Sequence, residues 1–394
     1  GMVELLLHLE DKGYQYGIVS SNSVQNIKSV LKKHNLPNPI FIGSSSALFS
    51  KHKVYKKISE AKGFDFSKSI YIGDETRDIK MGKKLSTLLV MALFFATTFL
   101  SSQAMASKEV RFVYVPWTCV TVKTEVAEFI LDNLGYDASS MMLSVPIAYQ
   151  ALATDEADVF LGNWMPTMEG IAGPRFESGE VVQLGTIMEN CKYTLAVPSY
   201  VYDAGLQDFE DIARFADRLD YKIYGIEEGN DGNQVIEKMI NEDMFGLGEF
   251  ELIPSSETGM LSQVQSYVRN KQWIVFLGWS PHWMNKVIDM KYLTGSDENT
   301  FGINNGTATV YINTRDGFIE EYPNVGTFLS NYLVPIDMIN EAMTMLHEDN
   351  TLEELEAGLT WLRKNPEVYR GWLEGVTTVD GEPALPVIEA AISN

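Results

Sequence analysis

Residues 110–135 read VRFVYVPWTCVTVKTEVAEFILDNLG. Val110 to Val115 is apolar at nearly every position, which suits a strand covered on both faces. From Val122 to Leu134 the apolar residues fall at helical spacing, and Gly135 stands just beyond, where a helix end favours a left-handed backbone. A buried strand running directly into an amphipathic helix is the unit from which α/β folds are built.

The unit repeats downstream. A second strand is predicted near Met141 to Val145, Pro146 opens a short helix to Ala153, and Ala157 to Leu161 reads as a third strand that stops at Gly162–Pro166. The alternation resumes from Tyr193 to about Asn285, with strands at Tyr193–Val197, Lys222–Ile226 and Trp273–Leu277. A turn-rich stretch, 297–306, precedes the strand Ala308–Ile312. The tail reads as helices over Glu320–Leu333, Ile336–Glu348, Leu352–Asn365 and Pro366–Leu373. This pattern predicts a mostly parallel sheet with helices on both faces. Two sheet-based lobes joined by crossing strands place a ligand cleft at the carboxyl ends of the strands.

Upstream, residues 81–107 are MGKKLSTLLVMALFFATTFLSSQAMAS. Lys83 and Lys84, an apolar run from Leu85 to Leu100 and the Ala104-Met105-Ala106 ending are the three parts of a secretory signal peptide, with cleavage expected before Ser107 and a periplasmic destination. No cysteine follows the cleavage point to carry a lipid. Residues 1–80 carry an apolar strand ending at Ser20 and a second one, Ser69–Ile72, that runs into Gly73-Asp74-Glu75-Thr76-Arg77-Asp78. These features resemble the later motifs of haloacid dehalogenase-type phosphatases, which implies phosphate and magnesium positions at Ser20, Lys51 or Lys53, Asp74 and Asp78. That family's nucleophile lies on an earlier DxDx(T/V) strand, and none precedes Met2. Residues 1–80 are therefore read as a truncated, partial Rossmann-like α/β fragment that forms no phosphoenzyme.

The chain of 394 residues has a net charge of −22. Residues 1–106 contribute about +6 and the remainder about −28, so the long acidic portion is unsuited to nucleic acid or anionic lipid. Its two cysteines, Cys119 and Cys191, give no metal-ligand spacing, and no cofactor-binding or catalytic triad motif is readable. They pair with each other or stay free.

Three tryptophans fall at expected strand ends: Trp117 in VPWTC, Trp164 in GNWMP and Trp279 in GWSPHW, each read as a loop residue with no strand or helix face to fill. Tyr193 begins a strand of the second half. A trimethylammonium group has no N–H to donate and is held by ring faces instead, at about 0.5–2 kcal/mol per face once water is excluded. The stretches VPWT, TVKTE, SVPIAYQAL, ADVFLGNWMP, KYTLAVP, GIEEGNDGN and FLGWSPHWM together resemble the periplasmic choline and glycine betaine binding proteins of ABC importers. The resemblance runs from Val110 to about Leu373. It implies a type II periplasmic-binding fold without catalysis: lobe one at about 107–196 and 309–394, lobe two at about 197–308, a hinge and a central cleft.

It also implies an aromatic box from Trp117, Trp164, Tyr193 and Trp279, with Asn230 on the polar end of the ligand and His282 within reach of a ligand carboxylate. The expected partners are a quaternary ammonium solute and a permease and ATPase on other chains, with the binding protein itself a monomer. Cys119 stands where choline-selective members carry an aspartate, which leaves betaines and related zwitterions open. The resemblance places Cys119 and Cys191 on adjacent loops, and an oxidising compartment then favours a disulfide between them. Trp273, Trp283, Trp361 and Trp372 are read as packing, and Glu227, Glu228 and Asp231 as turn and surface groups.

Overall fold

The computed structural model describes residues 109–393 and, upstream, residues 18–20, 32 and 42–44. The chain divides into two compact units, Gly1–Gln103 and Ala104–Asn394. In the first, β1 (Ile18–Ser20) pairs in parallel with β2 (Ile42–Ser44), and Ser20 closes β1. Lys51, Lys53, Asp74, Asp78 and the signal-peptide segment lie outside the described residues.

The second unit is built on one sheet of nine strands. They are β3 (Glu109–Tyr114), β4 (Asp137–Met142), β5 (Val159–Met165), β6 (Val181–Pro198), β7 (Lys222–Tyr224), β8 (Glu251–Ile253), β9 (Val275–Ser280), β10 (Met290–Tyr292) and β11 (Thr307–Arg315). Their order is β4-β3-β5-β11-β6-β9-β7-β8, with β10 paired to β6. The expected α/β architecture is present, but the sheet is mixed rather than mostly parallel. Pairings β3–β4, β3–β5, β7–β8 and β7–β9 are parallel, whereas every described pairing of β6 and β11 is antiparallel. The sequence hid this because β6 is 18 residues long and half exposed over its first part, so only its apolar end, from Tyr193, reads as a strand.

These two strands join the halves of the sheet. The first part of β6 pairs with β11, from Val181 opposite Arg315 to Lys192 opposite Thr307, and its last part pairs with β9, from Lys192 opposite Ser280 to Ala196 opposite Phe276. Register shifts interrupt the β6–β11 ladder on both sides of Val310.

Helix α1 (Thr118–Asn133) begins four residues before the apolar periodicity does, directly at Trp117. Its Val122, Val126, Ile130 and Leu131 are buried. Helices α2 (Val145–Ala153), α3 (Asp231–Asn241), α4 (Glu257–Arg269), α5 (Ile336–Glu348) and α6 (Glu354–Lys364) complete the framework around the site. The tail returns to the first half of the sheet: a Cβ at Gly358 of α6 would stand 2.6 Å from Val126 of α1. The expected helix Glu320–Leu333 is broken into Phe318–Glu321 and Pro323–Asn331, because Pro323 excludes Tyr322 from helical backbone. The expected strand near Met141 sits earlier, on an exposed edge where alternation carries little hydrophobic signal.

At the ends of β3, β5 and β11 away from the tryptophans, Asp158 is buried and accepts from Arg111 Nε at 2.9 Å, Arg111 Nη2 at 2.7 Å and Arg315 Nε at 2.6 Å. Two guanidinium groups on one carboxylate satisfy its lone pairs and tie three strands together.

Candidate functional site

Trp164 lies within β5 and Trp279 within β9, so neither is the loop residue that the Gly and Pro around them suggested. Both strands run past the expected stop and then leave through a cis X–Pro bond, Met165–Pro166 and Ser280–Pro281. Trp279 sits directly opposite Tyr193 in the β6–β9 ladder. The ring centroids of Trp164 and Tyr193 are 5.8 Å apart and those of Tyr193 and Trp279 are 6.4 Å apart, at interplanar angles of 56° and 83°. Phe301, from the turn-rich stretch, meets Tyr193 edge-on at 5.9 Å. Trp117 is the residue that precedes α1, in extended backbone, and its indole Nε1 donates to Glu227 Oε1 at 2.6 Å. All four rings are at most 5% exposed.

Polar groups surround them. Asn230 caps α3, its Oδ1 accepting from the Asn233 amide at 3.0 Å and from the Tyr193 hydroxyl at 3.1 Å. Asn230 Nδ2 donates to Asp231 Oδ1 at 3.0 Å. Asp231 is 1% exposed, and burial, with Glu227 nearby, pushes its carboxyl up to about 7. Burial likewise raises Glu227. Asp231 Oδ2, Glu227 Oε2 and Trp164 Nε1 are buried with no hydrogen-bond partner. Glu227 and Asp231 are thus not the surface groups the acidic GIEEGNDGN stretch suggested; Glu228 is exposed as expected. Gly229, between Glu227 and Asp231, has a positive φ, and both carboxylates act electrostatically on Tyr193, helping to raise its hydroxyl after burial.

A second set of bonds links distant segments at the same place. Glu257, the first residue of α4, accepts from Thr118 Oγ1 at 2.7 Å and from the Thr118 amide at 3.4 Å, so it caps the start of α1 from 139 residues away. His282 is fully buried, with Nε2 3.2 Å from Glu257 Oε1 and Nδ1 accepting from the Met284 amide at 3.0 Å. An accepting Nδ1 leaves the proton on Nε2, so the ring is neutral and donates to Glu257. It also packs on Trp279 at 4.9 Å. Glu257 gave no sequence signal beyond an acid in the first turn of a helix.

Cys119 and Cys191 are buried free thiols, so the expected disulfide is not formed in this structure. Burial pushes both thiols up to about 12, which removes the thiolate needed for exchange. Beside them, Lys123 is fully buried with no partner for Nζ, and burial lowers its basicity. Trp361 and Trp372 are buried as expected; Trp273 packs on Phe215 and Trp283 stacks on His347 at 3.8 Å. Among the described residues no group of acidic, His or Cys side chains could hold a metal ion, and no helix is long and apolar enough to cross a membrane.

Two sheet halves joined by a pair of long strands, with an enclosed aromatic cluster at their junction, define a solute-binding protein of the type II periplasmic-binding fold. Residues 108–364 match the substrate binding domain of the ABC-type glycine betaine transport system, and the chain belongs to that family. Residues 1–92 match haloacid dehalogenase-like hydrolases. Among solved structures, an ABC-transporter choline-binding protein in complex with choline is 43% identical, with a TM-score of 0.70 over 73% of this chain and 98% of that one. Lactococcal OpuAC, closed and complexed with glycine betaine, is 25% identical, with a TM-score of 0.60 over 67% and 98%. The glycine betaine/carnitine transport binding protein GbuC of Listeria monocytogenes is 28% identical over 166 residues, which are 42% of this chain and 53% of that protein.

Proposed function

We propose that the part of the chain after residue 106 captures a quaternary ammonium compound between two lobes, about 107–196 with 309–394 and about 197–308, and delivers it to a membrane permease on another chain. The observation that carries the reading is the cluster of Trp164, Tyr193 and Trp279, joined to Trp117 through Glu227, with every ring covered and carboxylates alongside. Ring faces and carboxylates suit a permanent cation that has no proton to donate. Export by the segment 81–106, with cleavage before Ser107, supplies the compartment in which such capture is useful. This proposal assigns the second unit binding, not catalysis.

Calorimetry with choline, glycine betaine, carnitine and proline betaine tests it. Trp117→Ala, Trp164→Ala and Trp279→Ala are each expected to weaken the preferred ligand by at least about 1 kcal/mol, since each removes one desolvated face, while the thermal transition persists. Unchanged affinity in two of the three, in folded protein, would sink the cage.

A further inference from the structure

The aromatic cluster alone does not distinguish a cation such as choline from a zwitterion such as glycine betaine, because both present the same trimethylammonium group. The polar atoms around it do. Glu227, Asp231 and Glu257 all reach the cluster, through Trp117, Asn230 and His282 respectively. None has a Lys or Arg ion-pair partner among the described residues; the one ion-pair distance involves His282, which is neutral by its hydrogen bonds. Lys123 is the only buried Lys or Arg among the described residues, and its electrostatic partners are the thiols of Cys119 and Cys191, not these carboxylates. Asp231 is the extreme member of the set. Its side chain is buried, it lies in the field of Tyr193, and Oδ2 meets no donor.

A net cation bound beside Asp231 favours the ionised carboxylate, whose free oxygen then faces the positive charge and accepts an O–H donor. A ligand carboxylate offers neither and adds a like charge in a site shielded from water. We propose that Asp231 is a specificity-determining residue that makes this site select net cations bearing a hydroxyl, of the choline type, over betaine-type zwitterions. The inference rests on the quaternary ammonium reading above and adds the ligand's net charge to it.

The test is calorimetric titration of the full chain with choline and with glycine betaine, for the wild type, Asp231→Asn and Asp231→Glu. Asn keeps an oxygen to accept from Asn230, so the cap of α3 survives while the charge is lost. The wild type is expected to prefer choline by at least about tenfold. Asp231→Asn is expected to lose choline affinity by at least about tenfold and to hold or improve its affinity for glycine betaine. Asp231→Glu is expected to keep the wild-type order. A wild type that prefers glycine betaine overturns the assignment, and so does an equal loss for both ligands in folded Asp231→Asn; both leave the capture of quaternary amines standing. A wild type that binds neither ligand overturns both.

Discussion

Asp231 shows how much a single carboxylate contributes when its partner is missing. Burial holds its carboxyl up to about 7, against an ordinary value of 3.8. Between those values the folded chain keeps a proton that the unfolded chain releases, so the contribution to stability is full below the lower value and is lost as pH rises through the upper one. At about 1.4 kcal/mol per unit this amounts to at most about 4 kcal/mol. The groups facing it are Glu227, Tyr149, Tyr193, Asn230 and Thr167, none of them cationic. Ligand-free wild type is therefore expected to lose more thermal stability than Asp231→Asn between pH 5 and 8, and calorimetric scans across that range decide it. The residue was legible in the sequence only as one acid in an acidic turn. What distinguishes it, a buried carboxylate with one oxygen unpartnered, depends on long-range packing such as the approach of Tyr193, which no local pattern encodes. Trp117, Trp164 and Trp279 were legible because bulky rings beside glycine and proline stand out, even though Trp164 and Trp279 proved to be strand residues.

Among elements, α3 meets β6 at very close range. A Cβ on Gly232 would lie 2.3 Å from the Tyr193 hydroxyl and 2.9 Å from Leu277, so only glycine lets the start of the helix approach the strand this closely. Gly232→Ala is expected to push Tyr193 from Asn230 and weaken ligand binding by at least about tenfold, with a smaller loss of stability, on the order of 1–3 kcal/mol. Titration paired with a thermal melt checks this; unchanged affinity would mean that α3 can retreat without disturbing the ring. The helices that build this region were read well where apolar periodicity is strong, as in α5, whose limits Ile336 and Glu348 match the expectation. Elements defined by pairing rather than periodicity were not. The polar first part of β6 and the exposed edge strand β4 take their conformation from the ladder, and a half-exposed strand leaves no apolar run to find.

Over the whole second unit, β6 and β11 carry all the sheet continuity between the two halves, and their register slips near Val310, close to where β6 changes partners at Lys192. Away from these strands, side-chain bonds beside the aromatic cluster also join the halves, among them Trp117 to Glu227 and Thr118 to Glu257. Those bonds are between protein groups and do not pass through the solute. If a captured solute is released only when the halves part, the time it stays is expected to depend on how often these bonds break as well as on how well it is held. Thr118→Val, which removes one of these bonds and no charge, is accordingly expected to shorten residence by the same factor for every solute the site accepts, measured by stopped-flow displacement, whereas changes at the rings alter each solute differently. Selectivity and retention would then be adjustable separately, the first from the rings and carboxylates and the second from the bonds between the halves.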